Sequence, residues 1–208
     1  MTREISRKDL LRSLFSAFRD AGEQLAPAPA VQPRWLLRPP GAGLPDADYL
    51  AACTGCADCV PVCPKGAIFV SEAEPAADHP VAVILPERAP CALCTELPCI
   101  AACPEGALKP LPSPRQVRMG VAQVDPRACR TFRGEPCDLC LRFCPLPDEA
   151  IRFFNGRPVV VPAACTGCGM CAAVCPERPR AVMVVPEREL IPGVRLPLDP
   201  PSAARRRG

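Results

Sequence analysis

Sixteen cysteines in 208 residues fall into four groups of four, with none left over. Group one is Cys53, Cys56, Cys59 and Cys63, spaced C-x2-C-x2-C-x3-C and followed by proline. Group four, Cys165, Cys168, Cys171 and Cys175, repeats that spacing. Group two, Cys91, Cys94, Cys99 and Cys103, has a wider middle gap, and group three, Cys129, Cys137, Cys140 and Cys144, a long first gap. Cysteine at this density calls for a cross-linking explanation, either disulfides or metal. The rest of the composition points the same way. Large aromatic rings usually dominate core burial, yet the chain has one Trp, one Tyr and seven Phe against 30 Pro. An ordinary hydrophobic core would be thin.

Three chemistries compete for the thiols. Disulfides suit a small secreted chain, but close C-x2-C pairs make poor structural bridges. Ser6 to Phe15, "SRKDLLRSLF", has only the outline of a twin-arginine export signal: Arg7-Lys8 stands where Arg-Arg belongs. Arg12, Arg19, Asp20 and Glu23 interrupt the apolar stretch that a cleavable signal needs. The expected address is therefore the reducing cytoplasm, with any membrane association made through a partner, rather than the periplasm. Structural zinc normally takes two separated pairs and often His; the single histidine, His79, is remote in sequence from every group and reads as a surface residue. The C-x2-C-x2-C-x3-C-P run is the bacterial ferredoxin pattern for a cubane iron–sulfur centre. Small residues in the gaps, such as Thr54, Gly55, Thr166, Gly167 and Gly169, let backbone N–H groups approach the sulfurs. The proline after the last cysteine turns the chain away. Four complete ligand sets predict four [4Fe–4S] clusters bound by all sixteen cysteines.

In two-cluster ferredoxins, three cysteines of a motif hold one cluster and its fourth holds the partner's. Two pairings are open: sequential (one with two, three with four) or nested (one with four, two with three). The close match of groups one and four leans towards nesting.

Between the groups, short apolar runs alternate with turns. "KGAIFV" and "VAVIL" lie between groups one and two, "MGVAQVD" before Cys129, and "EAIRFF", "NGR" and "PVVV" after Cys144. Asn155-Gly156 is a strong hairpin signal. The pattern predicts an α+β fold of tandem bacterial-ferredoxin-like dicluster units, with a small core organised around the clusters. Residues 1–25 carry a basic amphipathic helix: Leu10, Leu11, Leu14, Phe15 and Phe18 fall at helical spacing. Residues 5–20 of it could pack on the domain, a partner or a membrane surface. Residues 26–48 read as a Pro-rich extended linker, 49–186 as the four-motif region and 187–208 as a Pro/Arg-rich tail.

"PCALCTELPCIAACPEGAL" (Pro90 to Leu108) and "MGVAQVDPRACRTFRGEPCDLCLRFCPL" (Met119 to Leu146) resemble the second and third motifs of the NapG/MauM group of ferredoxin-type proteins. "RPPGA" at Arg38 to Ala42 fits the same pattern. The resemblance covers roughly Arg38 to Val185, and the long first gap of group three is its most specific element. It implies a polyferredoxin, an electron-transfer protein working between a redox donor such as a membrane quinol dehydrogenase and a reductase. The related NapF-type ferredoxins are cytoplasmic and linked to reductase assembly. An iron–sulfur subunit of a larger oxidoreductase, or a maturation factor for a molybdenum reductase, are thus the alternatives.

Other function classes find little support. The formal charge of +3 is too small to argue for nucleic acid, and no apolar run approaches the ~20 residues of a spanning helix. One isolated His excludes Ser-His-Asp chemistry, and neither a phosphate-binding nor a dinucleotide glycine motif occurs. With every cysteine assigned, the chain by itself reads as a carrier and not as an enzyme.

Overall fold

No strand among the described residues exceeds five residues, and three of the four α-helices are single four-residue turns. The computed structural model describes residues 35–43, 45–72 and 77–187. The expected helix over residues 1–25, the linker residues before 35 and the tail from 188 lie outside the described residues. In chain order the elements are α1 (Asp46–Ala52), β1 (Ile68–Ser71), β2 (Val81–Ile84), α2 (Pro98–Ala101), β3 (Gly120–Val124), α3 (Leu139–Arg142), β4 (Ile151–Phe154), β5 (Arg157–Val160), α4 (Met170–Ala173) and β6 (Val182–Pro186).

The strands make three separate two-stranded antiparallel sheets, β1–β2, β3–β6 and β4–β5. Each hairpin connects one cysteine group to the next. β1–β2 leads from group one to group two, with Ile68 opposite Ile84, and β4–β5 leads from group three to group four, with Ile151 opposite Val160. The second hairpin turns at Asn155-Gly156, both left-handed in φ, as a type I′ turn requires. β3 precedes group three and pairs with β6, which follows group four, with Val121 opposite Val185. Groups three and four are thereby closed into one unit.

Residues 35–43 close the first unit in an equivalent way, which corrects the reading of this stretch as an extended linker. Leu37 exchanges both backbone hydrogen bonds with Ile84 at 2.8 Å. Pro39 and Pro40 are fully buried, and the Lys109 N–H donates to the Gly41 carbonyl at 2.7 Å. Arg38 makes a bidentate pair with Asp46, Nε to Oδ1 at 2.7 Å and Nη2 to Oδ2 at 2.8 Å. Proline suits a strap because it needs no ladder N–H on its outer side; composition alone reads such a segment as loose.

The apolar core is continuous but made chiefly of small pieces, Val, Ile, Ala and nine buried cysteines, with Leu37, Tyr49, Leu97, Leu108 and Met119 as its larger members. No helix among the described residues is long and apolar enough to cross a membrane.

Candidate metal centres

Proline decides how each motif is used. After Cys63, Cys103, Cys144 and Cys175 comes Pro, which pushes the preceding cysteine out of the α region. The third cysteine of groups two, three and four (Cys99, Cys140, Cys171) sits inside the single-turn helices α2, α3 and α4. The fourth follows four residues later, beyond the end of that turn. It leaves the local loop and reaches a different site.

Four cavities of similar size result, about 340 to 370 Å³ with their mouths included. Each is lined by four cysteines. The first holds Cys53, Cys56 and Cys59 with Cys103. The second holds Cys91, Cys94 and Cys99 with Cys63. The third holds Cys129, Cys137 and Cys140 with Cys175, and the fourth Cys165, Cys168 and Cys171 with Cys144. Groups one and two therefore exchange fourth cysteines, as do groups three and four. The pairing is sequential, and the leaning towards nesting is corrected. The cause is the short hairpins, which fold each motif back against its immediate successor.

The donor set fits a cubane cluster better than a single ion. All sixteen cysteines are free thiols. Among the described residues no group of three or more His, Cys, Asp or Glu side chains converges on one ion. Burial pushes the thiols up, to about 12 at Cys59 and Cys91 and about 11 at Cys99, Cys140 and Cys168. Burial also pushes Cys171 well above its ordinary value. Sulfurs in such surroundings become anionic ligands only when a metal core supplies the opposing charge.

Backbone geometry around the sulfurs is specialised. The residue before the second cysteine is left-handed in three motifs, with φ of 70° at Gly55, 73° at Gly167 and 50° at Leu93. Leucine there costs roughly 1–2 kcal/mol relative to glycine. At Gly167 space matters as well, since a Cβ would lie 2.4 Å from the Gly120 nitrogen on β3. Amides point at three cysteine sulfurs: Ala67 at Cys63 (3.3 Å), Leu93 at Cys91 (3.5 Å) and Ala122 at Cys165 (3.4 Å). Hydrogen bonds of this kind tune cluster potentials.

Two features escaped the sequence reading. His79 is half-buried, and its Nε2 donates to the Cys53 carbonyl at 2.8 Å while Nδ1 donates to the Asp78 carboxylate at 2.8 Å. Both partners are acceptors, an arrangement that favours the doubly protonated ring, and the Asp78 contact first of all raises its pKa. The long first gap of group three forms a 3₁₀ turn, Arg130–Arg133. Arg130 and Arg133 both grip Glu177, two residues after Cys175, with Arg133 Nη2 at 3.0 Å from Oε2. The gap thus clamps group three to group four.

The two units also touch each other. The Cys91 N–H donates to the Cys168 carbonyl at 2.9 Å. Gly169 approaches Pro86 so closely that a Cβ would lie 2.3 Å from the proline Cβ. The second and fourth cavities are therefore neighbours across the junction.

Comparison with known proteins agrees with this division. Residues 52–107 and residues 121–176 each match the family described as a 4Fe-4S dicluster domain. The chain is 40% identical over 160 residues to the methylamine utilization ferredoxin-type protein MauM of Paracoccus denitrificans (strain Pd 1222), covering 72% of this chain and 71% of that one. It is 36% identical over 204 residues to the MauM protein of Methylobacillus flagellatus, covering 93% of this chain and 85% of the relative. Against the ferredoxin-type protein NapG of Escherichia coli (strain K12) the identity is 36% over 163 residues, covering 72% and 70%. Two dicluster domains carry four [4Fe–4S] clusters. With its paired cysteine groups and these relatives, the chain belongs to the MauM/NapG family of ferredoxin-type iron–sulfur electron-transfer proteins.

Proposed function

We propose that the chain is a four-site electron relay in which the four cysteines lining each cavity are the ligands of one cluster. One observation carries the reading: four separate cavities are each lined by four cysteines, three from one motif and one from its neighbour. Each cluster, when bound, takes up and gives back one electron at a time. The chain's own residues fix ligand geometry, exclude water and set potentials through burial and amide contacts. The order of contact runs from the Cys53 site to the Cys91 site, across the Cys91–Cys168 hydrogen bond to the Cys165 site, and on to the Cys129 site. Sequence order and relay order thus differ in the second unit.

The partner class is a redox protein: a membrane quinol dehydrogenase on one side and the catalytic subunit of a reductase on the other. The MauM relatives bear methylamine utilization in their name, so amine oxidation is the process to test first.

Anaerobically purified protein is expected to hold about 16 Fe per chain. Replacing Cys63 by Ala should remove the cluster of the Cys91 site, leaving about 12 Fe and one fewer signal in potentiometric EPR. Cys94→Ala should abolish the same signal, and the double variant should lose no more iron than either single one. By contrast, Cys63→Ala combined with Cys56→Ala should lose two clusters. If Cys63→Ala and Cys56→Ala instead abolish one shared signal, the ligand sets proposed here are wrong.

A further inference from the structure

The two hairpins are equivalent in the fold but not in their surroundings. In the first unit Ile68 and Ile84 line the second cavity and Ala82 lines the first, while the whole of β2 is buried. Leu37 covers it through the ladder to Ile84, and Tyr49 donates to the Ala82 carbonyl. In the second unit Ile151 and Val160 line the fourth cavity and Pro158 the third. Among the described residues no strap equivalent to Leu37 covers the other face, where Phe132 lies against Arg157. Arg152 and Val159 are opposite one another, as are Phe154 and Arg157, and all four are exposed. Phe154 is 68% exposed, the most of any large hydrophobic residue described. One sheet layer, roughly 10 Å by ordinary packing distances, separates this face from two cysteine sites.

The geometry points to the outer face of β4–β5 as the docking site for an acidic redox protein; this rests on the relay reading above. Charge selects the occupant. The face presents two arginines and no acid, and neither Arg152 nor Arg157 has an ion-pair partner among the described residues. The Arg157 guanidinium instead lies over the Phe132 ring, 5.0 Å from its centre. The surrounding unit, residues 114–187, carries ten basic and seven acidic side chains, whereas residues 35–113 carry four basic and nine acidic. The chain's own remaining segments are a poor match: residues 1–34 have six basic and four acidic side chains, and 188–208 have five and two. A second copy seated face to face would set arginine against arginine. An acidic protein gains on both counts, with complementary charge steering the encounter and an aromatic anchor at the centre. The arrangement places the third and fourth sites on the other side of one sheet layer from the docked partner.

The test uses reduced holoprotein and two probes of opposite charge: plastocyanin, an acidic one-electron acceptor, and mitochondrial cytochrome c, a basic one. Each event moves a single electron, oxidising the chain by one equivalent and taking copper from Cu(II) to Cu(I) or haem iron from Fe(III) to Fe(II). In stopped flow, the Arg152→Glu/Arg157→Glu double variant should lose about tenfold or more of its second-order rate with plastocyanin at low salt. Its rate with cytochrome c should not fall, and iron content and EPR should match the parent. Arg152→Lys/Arg157→Lys keeps the charge and adds amines, so carbodiimide should cross-link residue 152 or 157 to plastocyanin carboxylates. Unchanged plastocyanin rates, or equal losses with both acceptors, overturn the proposal. So do protection of Phe154 from hydroxyl-radical labelling in the isolated full chain, dimerisation relieved by the double variant, or arginine-dependent binding to phosphatidylserine vesicles. A fully loaded parent protein that reduces neither acceptor would sink the relay reading instead.

Discussion

Stripping iron from the protein with a chelator under reducing conditions should abolish most of its far-UV circular dichroism and its cooperative thermal transition. The physical ground is the size of the elements. Three isolated two-stranded sheets and three single-turn helices are each below the length at which such structure persists in water. The core that joins them is built chiefly from Val, Ile and Ala, with nine buried cysteines and only a few larger side chains among its members. Without clusters, those thiols line four cavities and contribute little packing. Metal-site binding can supply about 10 kcal/mol or more per site, as structural zinc does, which exceeds the net stability of many small domains. Retention of a native spectrum in iron-free protein would show that the peptide core suffices by itself.

The second large effect concerns the strap. Arg38→Ala should lower the temperature at which the visible cluster absorbance bleaches by roughly 6–12 °C, corresponding to about 3 kcal/mol. Arg38 is 7% exposed and Asp46 18% exposed in their side chains. Removing the arginine therefore leaves a carboxylate in a largely closed site with its main counter-ion gone. The loss also takes away a guanidinium lying 5.4 Å from the centre of the Tyr49 ring, a contact worth a further fraction of a kcal/mol. Tyr49 lines the first cavity, so that site should bleach earliest. Replacing both partners by Arg38→Met and Asp46→Leu should recover most of the loss, because a buried ion pair can often be exchanged for apolar packing of similar shape. If Arg38→Ala bleaches like the parent, the strap does not hold the first unit closed.

Much of this architecture is legible in the chain. The cysteine spacing, the apolar runs that become β1 to β5, and the Asn155-Gly156 turn all follow from local rules that need no tertiary context. Motif pairing is different in kind. The likeness of groups one and four reflects shared loop chemistry, small residues that admit a left-handed backbone, and says nothing about which motifs meet. Contact is decided by the hairpins, which are short and fold successive motifs together. The strap is hidden for a related reason: Pro39, Pro40 and Gly41 look like linker composition until Leu37 finds Ile84 and Arg38 finds Asp46. His79, 26 residues from Cys53, reaches it only because the chain turns back just before β2. The long gap of group three signals its family on sight, but its task, gripping Glu177, appears only when groups three and four are side by side.

The exchange of fourth cysteines has a bearing on how the protein is made. On the proposed ligand sets neither site of a unit would be completed by its own motif, so the first cluster to arrive would pin the partner motif before its own coordination is full. That act pre-forms the neighbouring site, and filling becomes cooperative within each unit. A cell short of iron would accumulate chains that are empty, furnished in one unit only, or complete, with few at odd cluster numbers. Cofactor supply would then be sensed as a choice among a few discrete forms, and the clamp between Glu177 and the two arginines would help decide which unit is finished first.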